Sequence, residues 1–477
     1  MPSPGRFSFP LGNLGEWNDL LELNRRILST GAKMVVQWTF HKQSVAIVNG
    51  PALYKVFHAS SSRQLQPPLL SLVGMYHIKH FFGNQSVGVT EGKKWSTTRK
   101  AIGKSLKPMV VRSLFGQINE CAEDCVLLLQ HLVEQNQNNS TIDIAPIFHA
   151  LALDVVCESI FDGNVGAIAS LRNGKYDPIV ESFRFAEDEM VRRTSSFHPL
   201  DWVYCGCASK KNRQLKNANK EIRKMVKHVI TKRIERGFKK EGKKSDGDLL
   251  GHLLFETSEK NAPNIDSVID NVVTMMWAGH DTSAAALSFA IHLLSTTKNI
   301  HIQTDLRTEL NMLADVNNGK LSAEDIRNAS LLHAVVLETL RLHPPTLWTN
   351  RGLQKDLIIK ESGGDDIVLK AGSGVFAPIW AVHRSPINWP DRPNEFVPSR
   401  FLNVPVADYR EKFFPFGAGR RICPGASLAP FEIKVVLACL IRQFEFLEPG
   451  IEYPVPSIRA HGMVQQCLNN YVRIKKM

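Results

Sequence analysis

The residues 413–432 hold one cysteine in a setting suited to metal chemistry. The run is Phe413, Phe414, Pro415, Phe416, Gly417, Ala418, Gly419, Arg420, Arg421, Ile422, Cys423, Pro424, Gly425, continuing to Ala429 and Glu432. A thiolate, not a thiol, binds metals, and nearby arginine charge and a following helix N-terminus both favour that form. The glycines permit tight turns that side chains would obstruct. Such a loop can present one sulfur to a flat, bulky group and direct backbone N–H donors at it. A second polar cluster, Ala278, Gly279, His280, Asp281 and Thr282, interrupts a long apolar run over 266–297. Small side chains stand there beside an acid and a hydroxyl. The hydroxyl can bond back to a carbonyl one turn earlier. The plain alternatives are a buried cysteine beside a glycine turn and a packing notch with a satisfied aspartate. A membrane span over 266–297 is opposed by the polar cluster at its middle.

Three further groups have suggestive spacing. Trp95 and Arg99 are one helical turn apart and point the same way. Glu338 and Arg341 can pair on one helix face, and Leu342, His343, Pro344 and Pro345 then end that helix. Arg351 follows Leu347, Trp348 and Thr349.

The pattern F-x-x-G-x-R-x-C-x-G, filled by Phe416, Gly419, Arg421, Cys423 and Gly425, resembles the haem-ligand loop of the cytochrome P450 superfamily. Ala429 and Glu432 extend the match downstream. Residues 278–282 match the family's A-G-x-D/E-T motif, Trp95 and Arg99 its W-x-x-x-R pair, and Glu338 and Arg341 its E-x-x-R motif. Pro398, Ser399, Arg400 and Phe401 match its P-x-R-F segment, and 383–386 another common stretch. The resemblance spans about 10–475. It implies haem b with Cys423 as axial thiolate, shielded by Phe416. Trp95, Arg99, Arg351 and Arg421 would hold propionates, and Ala278, Gly279 and Gly425 would lie close to the cofactor. Asp281 and Thr282 would deliver protons. Glu338, Arg341 and Arg400 would form a structural network, not a catalytic one. Pro430 departs from the pattern, since it falls where a helix is expected and removes a backbone donor.

The elements that must position these residues read as mainly helical, with a small β-rich lobe. Residues 33–58 alternate apolar and polar positions around Asn49-Gly50, which reads as a turn between strands. Residues 108–165 read as amphipathic helices with Leu127, Leu128, Leu129 and Leu132 on one stripe. Residues 353–382 read as short strands joined by Gly363-Gly364 and Gly372. The resemblance places substrate-cavity walls at Leu69, Leu70, Leu72, Val73, Met75, Phe81 and Phe82, at Phe183, Phe185, Met190 and Phe197, at Leu347–Thr349, and near His461–Val464. No linker separates the motifs, so residues 16–477 are expected to form one domain after a Pro/Gly-rich segment 1–15. Residues 16–28 are charged throughout and cannot span a bilayer.

The chain has 477 residues, 43% hydrophobic and 22% charged, which excludes a disordered protein. Its formal net charge of +12 favours anionic partners. No finger, basic zipper or RNA-binding signature accompanies it, so nucleic acid is not expected. An acidic redox partner, or an anionic membrane surface facing the lysine-rich stretch 210–244, fits better, with a solvated helix as the simpler reading of that stretch. The eight cysteines, including Cys205 and Cys207, form no disulfide or zinc framework, and with no signal peptide visible an intracellular location is expected. The protein reads as soluble or peripheral, or as continuing upstream into an anchor.

The activity implied is insertion of one atom of dioxygen into a lipophilic substrate, the other being reduced to water. No flavin or nicotinamide fingerprint is present, so electrons are expected from NADPH through a separate reductase. The alternatives are a haem-thiolate isomerase or dehydratase that uses no dioxygen, and a haem sensor without turnover. The Asp281-Thr282 pair favours oxygenation over both.

Overall fold

A computed structural model describes residues 20–39, 42–59, 62–63, 79–135, 141–161, 163, 165–174, 178–195, 209–235, 249–256, 258–259, 262–360, 366–461 and 464–477. The fold is mostly helical with small sheets, as the sequence predicts. It divides into two compact units. The first takes the described parts of Met1–Val73, Leu337–Cys423 and Ile458–Gln466. The second takes those of Gly74–Val336, Pro424–Ser457 and Cys467–Met477.

The first unit is built on a five-stranded sheet in the order Met34–Thr39, Lys42–Ile47, Gly374–Ala377, Thr349–Leu353, Ser62–Arg63. The first two strands form an antiparallel hairpin with Met34 opposite Ile47. Gly374–Phe376 runs parallel to Ser44–Ala46, and Val375 lies opposite Arg351 in an antiparallel pair. Alternate residues of a strand face opposite sides. Ile47 and Val375 therefore join a core with Leu53, Val56, Phe57 and Phe414. Ala46 and Phe376 join another with Leu21, Ile27, Leu347 and Trp380.

Asn49-Gly50 is not the hairpin turn. The strands end on either side of residues 40–41, and Asn49 instead caps the helix Gly50–His58, its Oδ1 accepting the Ala52 N–H at 2.9 Å. Pro51 sits in that helix's first turn, where a missing N–H costs nothing. An Asn-Gly pair serves a cap as readily as a turn. Leu347, expected to face substrate, is fully buried in the apolar core.

The second unit is organised around the 31-residue helix Ile265–Ser295. Asn264 caps it by accepting the Ser267 N–H at 3.0 Å. The helices Ala145–Phe161, Lys210–Glu235 and Leu428–Gln443 pack against it. It is apolar nearly all round, as a helix enclosed by others must be. Its buried polar residues are tied to the chain near Gln85. Asp270 accepts the Gln85 N–H at 3.0 Å and Arg223 Nη1 at 2.9 Å, and Asn271 Oδ1 accepts the Val87 N–H at 2.7 Å. Among the described residues no helix is long and apolar enough to cross a membrane.

On the helix Phe115–Gln135 the buried face is Ile118, Cys121, Ala122, Cys125, Val126, Leu128, Leu129 and Val133. Leu127 is exposed, contrary to the expected stripe. Three consecutive leucines span about 200° at 3.6 residues per turn, so one must leave the face. Pro430 causes no distortion, because Leu428–Gln443 begins only two residues before it. It lies in the first turn, whose N–H groups have no intrahelical partners. The calls on 1–15, Leu69–Met75, Phe197, Cys205, Cys207 and Gly363-Gly364 lie outside the described residues.

Candidate functional site

In the first unit the Cys423 loop is closed by its own backbone. The Gly417 N–H donates to the Phe414 carbonyl at 3.0 Å, and the Cys423 N–H to the Phe416 carbonyl at 3.0 Å. Gly417 and Gly419 have φ of 66° and 72°, the left-handed region open to glycine. At Gly419 a Cβ would also lie 2.0 Å from the Phe57 carbonyl oxygen, so glycine is required twice over. Phe416 is half-buried and Cys423 is exposed.

A hydrogen-bonded chain ties this loop to the Glu338 network. Arg341 donates from Nε and Nη2 to the two Glu338 oxygens at 2.7 and 2.8 Å, and both side chains are fully buried. Arg400 Nε lies 3.5 Å from Glu338 Oε1. Arg341 Nη1 donates to the His383 and Pro393 carbonyls, and Nη2 to the Glu395 carbonyl. His383 Nε2 then accepts the Phe414 N–H at 2.7 Å, while its ring stacks on Phe413. Burial and the Arg341 charge push the His383 pKa down to about 3, so the ring stays neutral and able to accept.

Arg351 sits on the strand Thr349–Leu353 with only 4% of its surface exposed. Its donors reach the Asn350 carbonyl at 2.7 Å, Thr349 Oγ1 at 3.2 Å and the Ala418 carbonyl at 3.4 Å, and the guanidinium lies over the Phe57 ring. These acceptors are all neutral. Burial and the nearby Arg421 charge depress the Arg351 pKa to about 10. The buried Arg351 is thus held near the partly exposed Arg421, with no carboxylate among the Arg351 partners. Such an arrangement is unfavourable alone and favourable around an anionic group. The residues present therefore fit a cofactor that carries carboxylates and takes a cysteine ligand.

In the second unit Trp95 and Arg99 are both half-buried on the helix Gly92–Ser105, which packs against the turn Pro424–Ala426 that carries Gly425. On the long helix, Thr282 Oγ1 donates to the Ala278 carbonyl at 2.7 Å, the back-bond that the sequence allows. Asp281 is fully buried, with His149 Nδ1 3.7 Å from its Oδ1. Gly279 also serves packing. A Cβ there would meet Val156 Cγ2 at 2.5 Å, so the missing side chain admits the helix Ala145–Phe161.

Glu432 is also held in this unit. It accepts from Ser283 Oγ at 3.0 Å through Oε2, and burial raises its pKa to about 8. A raised carboxyl pKa contributes stability below the ordinary value of 4.5, and that stability is lost as pH rises toward 8. Glu432→Gln is therefore expected to change stability little at pH 5 and to raise it by as much as a few kcal/mol above pH 8. Urea unfolding at both pH values checks this, and equal effects at the two would refute it.

Sequence reading missed Glu187 and His149. Glu187 lies one turn after Phe183 and just before Met190, both buried. An acid on an otherwise apolar helical face was the available signal.

The cytochrome P450 family model matches residues 2–473. The chain belongs to the cytochrome P450 family. Cytochrome P450 4d8 of Drosophila melanogaster is 27% identical over 425 residues, covering 87% of this chain and 88% of its own. Cytochrome P450 4V2 of Mus musculus is 29% identical over 369 residues, covering 74% and 66%. Cytokinin hydroxylase of Arabidopsis thaliana is 31% identical over 239 residues, covering 50% and 45%. As a P450, the protein is a haem-thiolate monooxygenase acting on a lipophilic substrate with electrons from a redox partner.

Proposed function

We propose that Cys423 is the axial ligand of a haem b, and that Arg351, Arg421, Trp95 and Arg99 hold its propionates. The observation that carries this reading is the buried Arg351 guanidinium, held near Arg421 with neutral partners, on the unit that presents the exposed Cys423. The other described cysteines suit the role less well. Burial raises Cys121, Cys439 and Cys467 to about 12 and Cys125 further still. Phe416 is proposed to shield the sulfur, and Ala278, Gly279 and Gly425 to line the cofactor. The order of motifs along the chain supports one catalytic domain over 16–477.

Bound haem would supply dioxygen activation, with thiolate ligation favouring O–O cleavage. The chain's own residues bind, orient and move protons. Asp281 is the proton donor and Thr282 the hydroxyl that positions the proton's destination. The Thr282 back-bond to Ala278 holds its oxygen at a fixed place on the helix. Thr282→Ala is expected to divert several-fold more reducing equivalents to hydrogen peroxide, read as product formed per NADPH consumed. Fully coupled turnover would remove the assignment.

The electron donor is proposed to be a separate NADPH-dependent reductase with an acidic docking face, a reading supported by the +12 net charge. Contact with an anionic membrane surface is supported by the helix Lys210–Glu235. It buries Leu215, Ala218, Ile222, Val226 and Ile230 and leaves most of its lysines in solvent. The deciding experiment for the haem reading is the carbon monoxide difference spectrum of the reduced protein. A Soret band shifted strongly to the red is expected. A band typical of histidine-ligated haem, or none, would overturn the reading.

A further inference from the structure

We propose that Glu187 shares a proton with Asp281 and acts as the proton store of the relay, refilled through His149. The proposal rests on the assignment of Asp281 as proton donor. Glu187 lies on the helix Pro178–Ser195, Asp281 on the long helix and His149 on Ala145–Phe161, all within the second unit. Glu187 is 4% exposed and Asp281 fully buried, and the Phe183 ring, one turn before Glu187, packs 5.9 Å from the ring of His280, the neighbour of Asp281. Two carboxylates in one dry place cannot both hold charge cheaply, so one keeps a proton. The Glu187 pKa is well above the carboxylate range, first through burial, then through the Asp281 charge and their mutual hydrogen bond. The Trp277 indole opposes this in part and the Asp188 charge adds to it. His280, packed 5.8 Å from the His149 ring, is kept toward its neutral form by burial and supplies no competing cation.

His149 differs from the other members in reaching solvent. Its side chain is 28% exposed, while Nδ1 lies 3.7 Å from Asp281 Oδ1, a short adjustment from a hydrogen bond. The transfer is balanced without a further reactant. The pair holds one proton, on Glu187, and Asp281 is the anion. The Glu187 O–H bond breaks as an Asp281 O–H bond forms, Asp281 then gives that proton up, and a proton from solvent returns by way of His149 and Asp281 to Glu187. Glu187 acts through Asp281 and is a positioning residue, not a catalytic one.

The test is infrared spectroscopy of the haem-loaded protein in H2O and D2O, carried out in a Glu432→Gln background to remove the other buried neutral carboxyl. A deuterium-sensitive carboxylic acid C=O band is expected near neutral pH, lost in Glu187→Gln and displaced in Asp281→Asn. Glu187→Gln is near-isosteric and removes no charge, so its thermal stability should match the parent. Its product per NADPH should fall roughly tenfold, less than the 10²–10⁴ of a direct acid, and Glu187→Asp should recover part of it. A band unmoved by both substitutions, or wild-type coupling in Glu187→Gln, would overturn the proposal. The carbon monoxide spectrum of Glu187→Gln should remain that of a thiolate haem. Failure of that spectrum in the wild-type protein would refute the haem assignment instead, and leave the infrared band to judge the carboxyl pair alone.

Discussion

Glu338→Ala is expected to destabilise the protein by about 3–5 kcal/mol, the cost of stranding a buried charge. The Arg341 guanidinium has no exposure, and both of its bonds to Glu338 are shorter than 2.9 Å. Its other partners, the His383, Pro393 and Glu395 carbonyls, carry no charge to compensate it. The Val397 N–H would also lose its acceptor, Glu338 Oε1 at 2.9 Å. A loss of that size is a large part of the ~5–15 kcal/mol that holds a typical domain together. Urea unfolding of Glu338→Ala, Arg341→Leu and the double variant would measure it. The double variant should recover part of the single losses, since removing both charges leaves neither unpaired. Strictly additive losses, or a single loss under ~1 kcal/mol, would show that the pair is not the support of the Cys423 side. Haem content should fall alongside stability, because Arg341, His383 and Phe414 form one hydrogen-bonded line to the loop.

Cys423→Ala is expected to abolish the thiolate signature in the reduced carbon monoxide spectrum and to bring oxygenation to background. The loop should survive the change. Its closure uses the Cys423 N–H and the Phe416 carbonyl, and the left-handed turn belongs to Gly417 and Gly419. The thermal transition should therefore stay close to wild type, which separates loss of the ligand from loss of the fold. No described neighbour is suited to substitute, since the other described thiols are wholly or partly buried, and burial raises the pKa of Cys121, Cys125, Cys439 and Cys467. An unchanged spectrum would assign the ligand elsewhere.

The local motifs were legible in the sequence because their chemistry is written in short spacings. Glu338 and Arg341 must meet if residues three apart lie on a helix, and they do. Thr282 can reach the carbonyl four residues back on any helix, and it does. The long helix was legible as the apolar run 266–297 and is found at Ile265–Ser295, its Asn264 cap being visible only in the structure. Readings failed where a residue has two local uses. Asn49-Gly50 suits a turn or a cap, and Leu127 sits in a leucine run that names no face. Only the neighbouring strands and helices choose between such uses.

What the sequence by itself determined is the family and the mainly helical class. Each of these rests on residue type at fixed spacing along one chain. Tertiary structure alone decided the rest. It placed the Val156 side chain where a Gly279 Cβ would be, and the Phe57 carbonyl where a Gly419 Cβ would be. It left Arg351 buried beside a second cation, and set the Glu187 carboxyl against Asp281 across 94 residues of sequence. Close approach and desolvation depend on distances between segments that the chain order does not encode. Burial then turns an ordinary acid or guanidinium into one whose proton or charge has consequences.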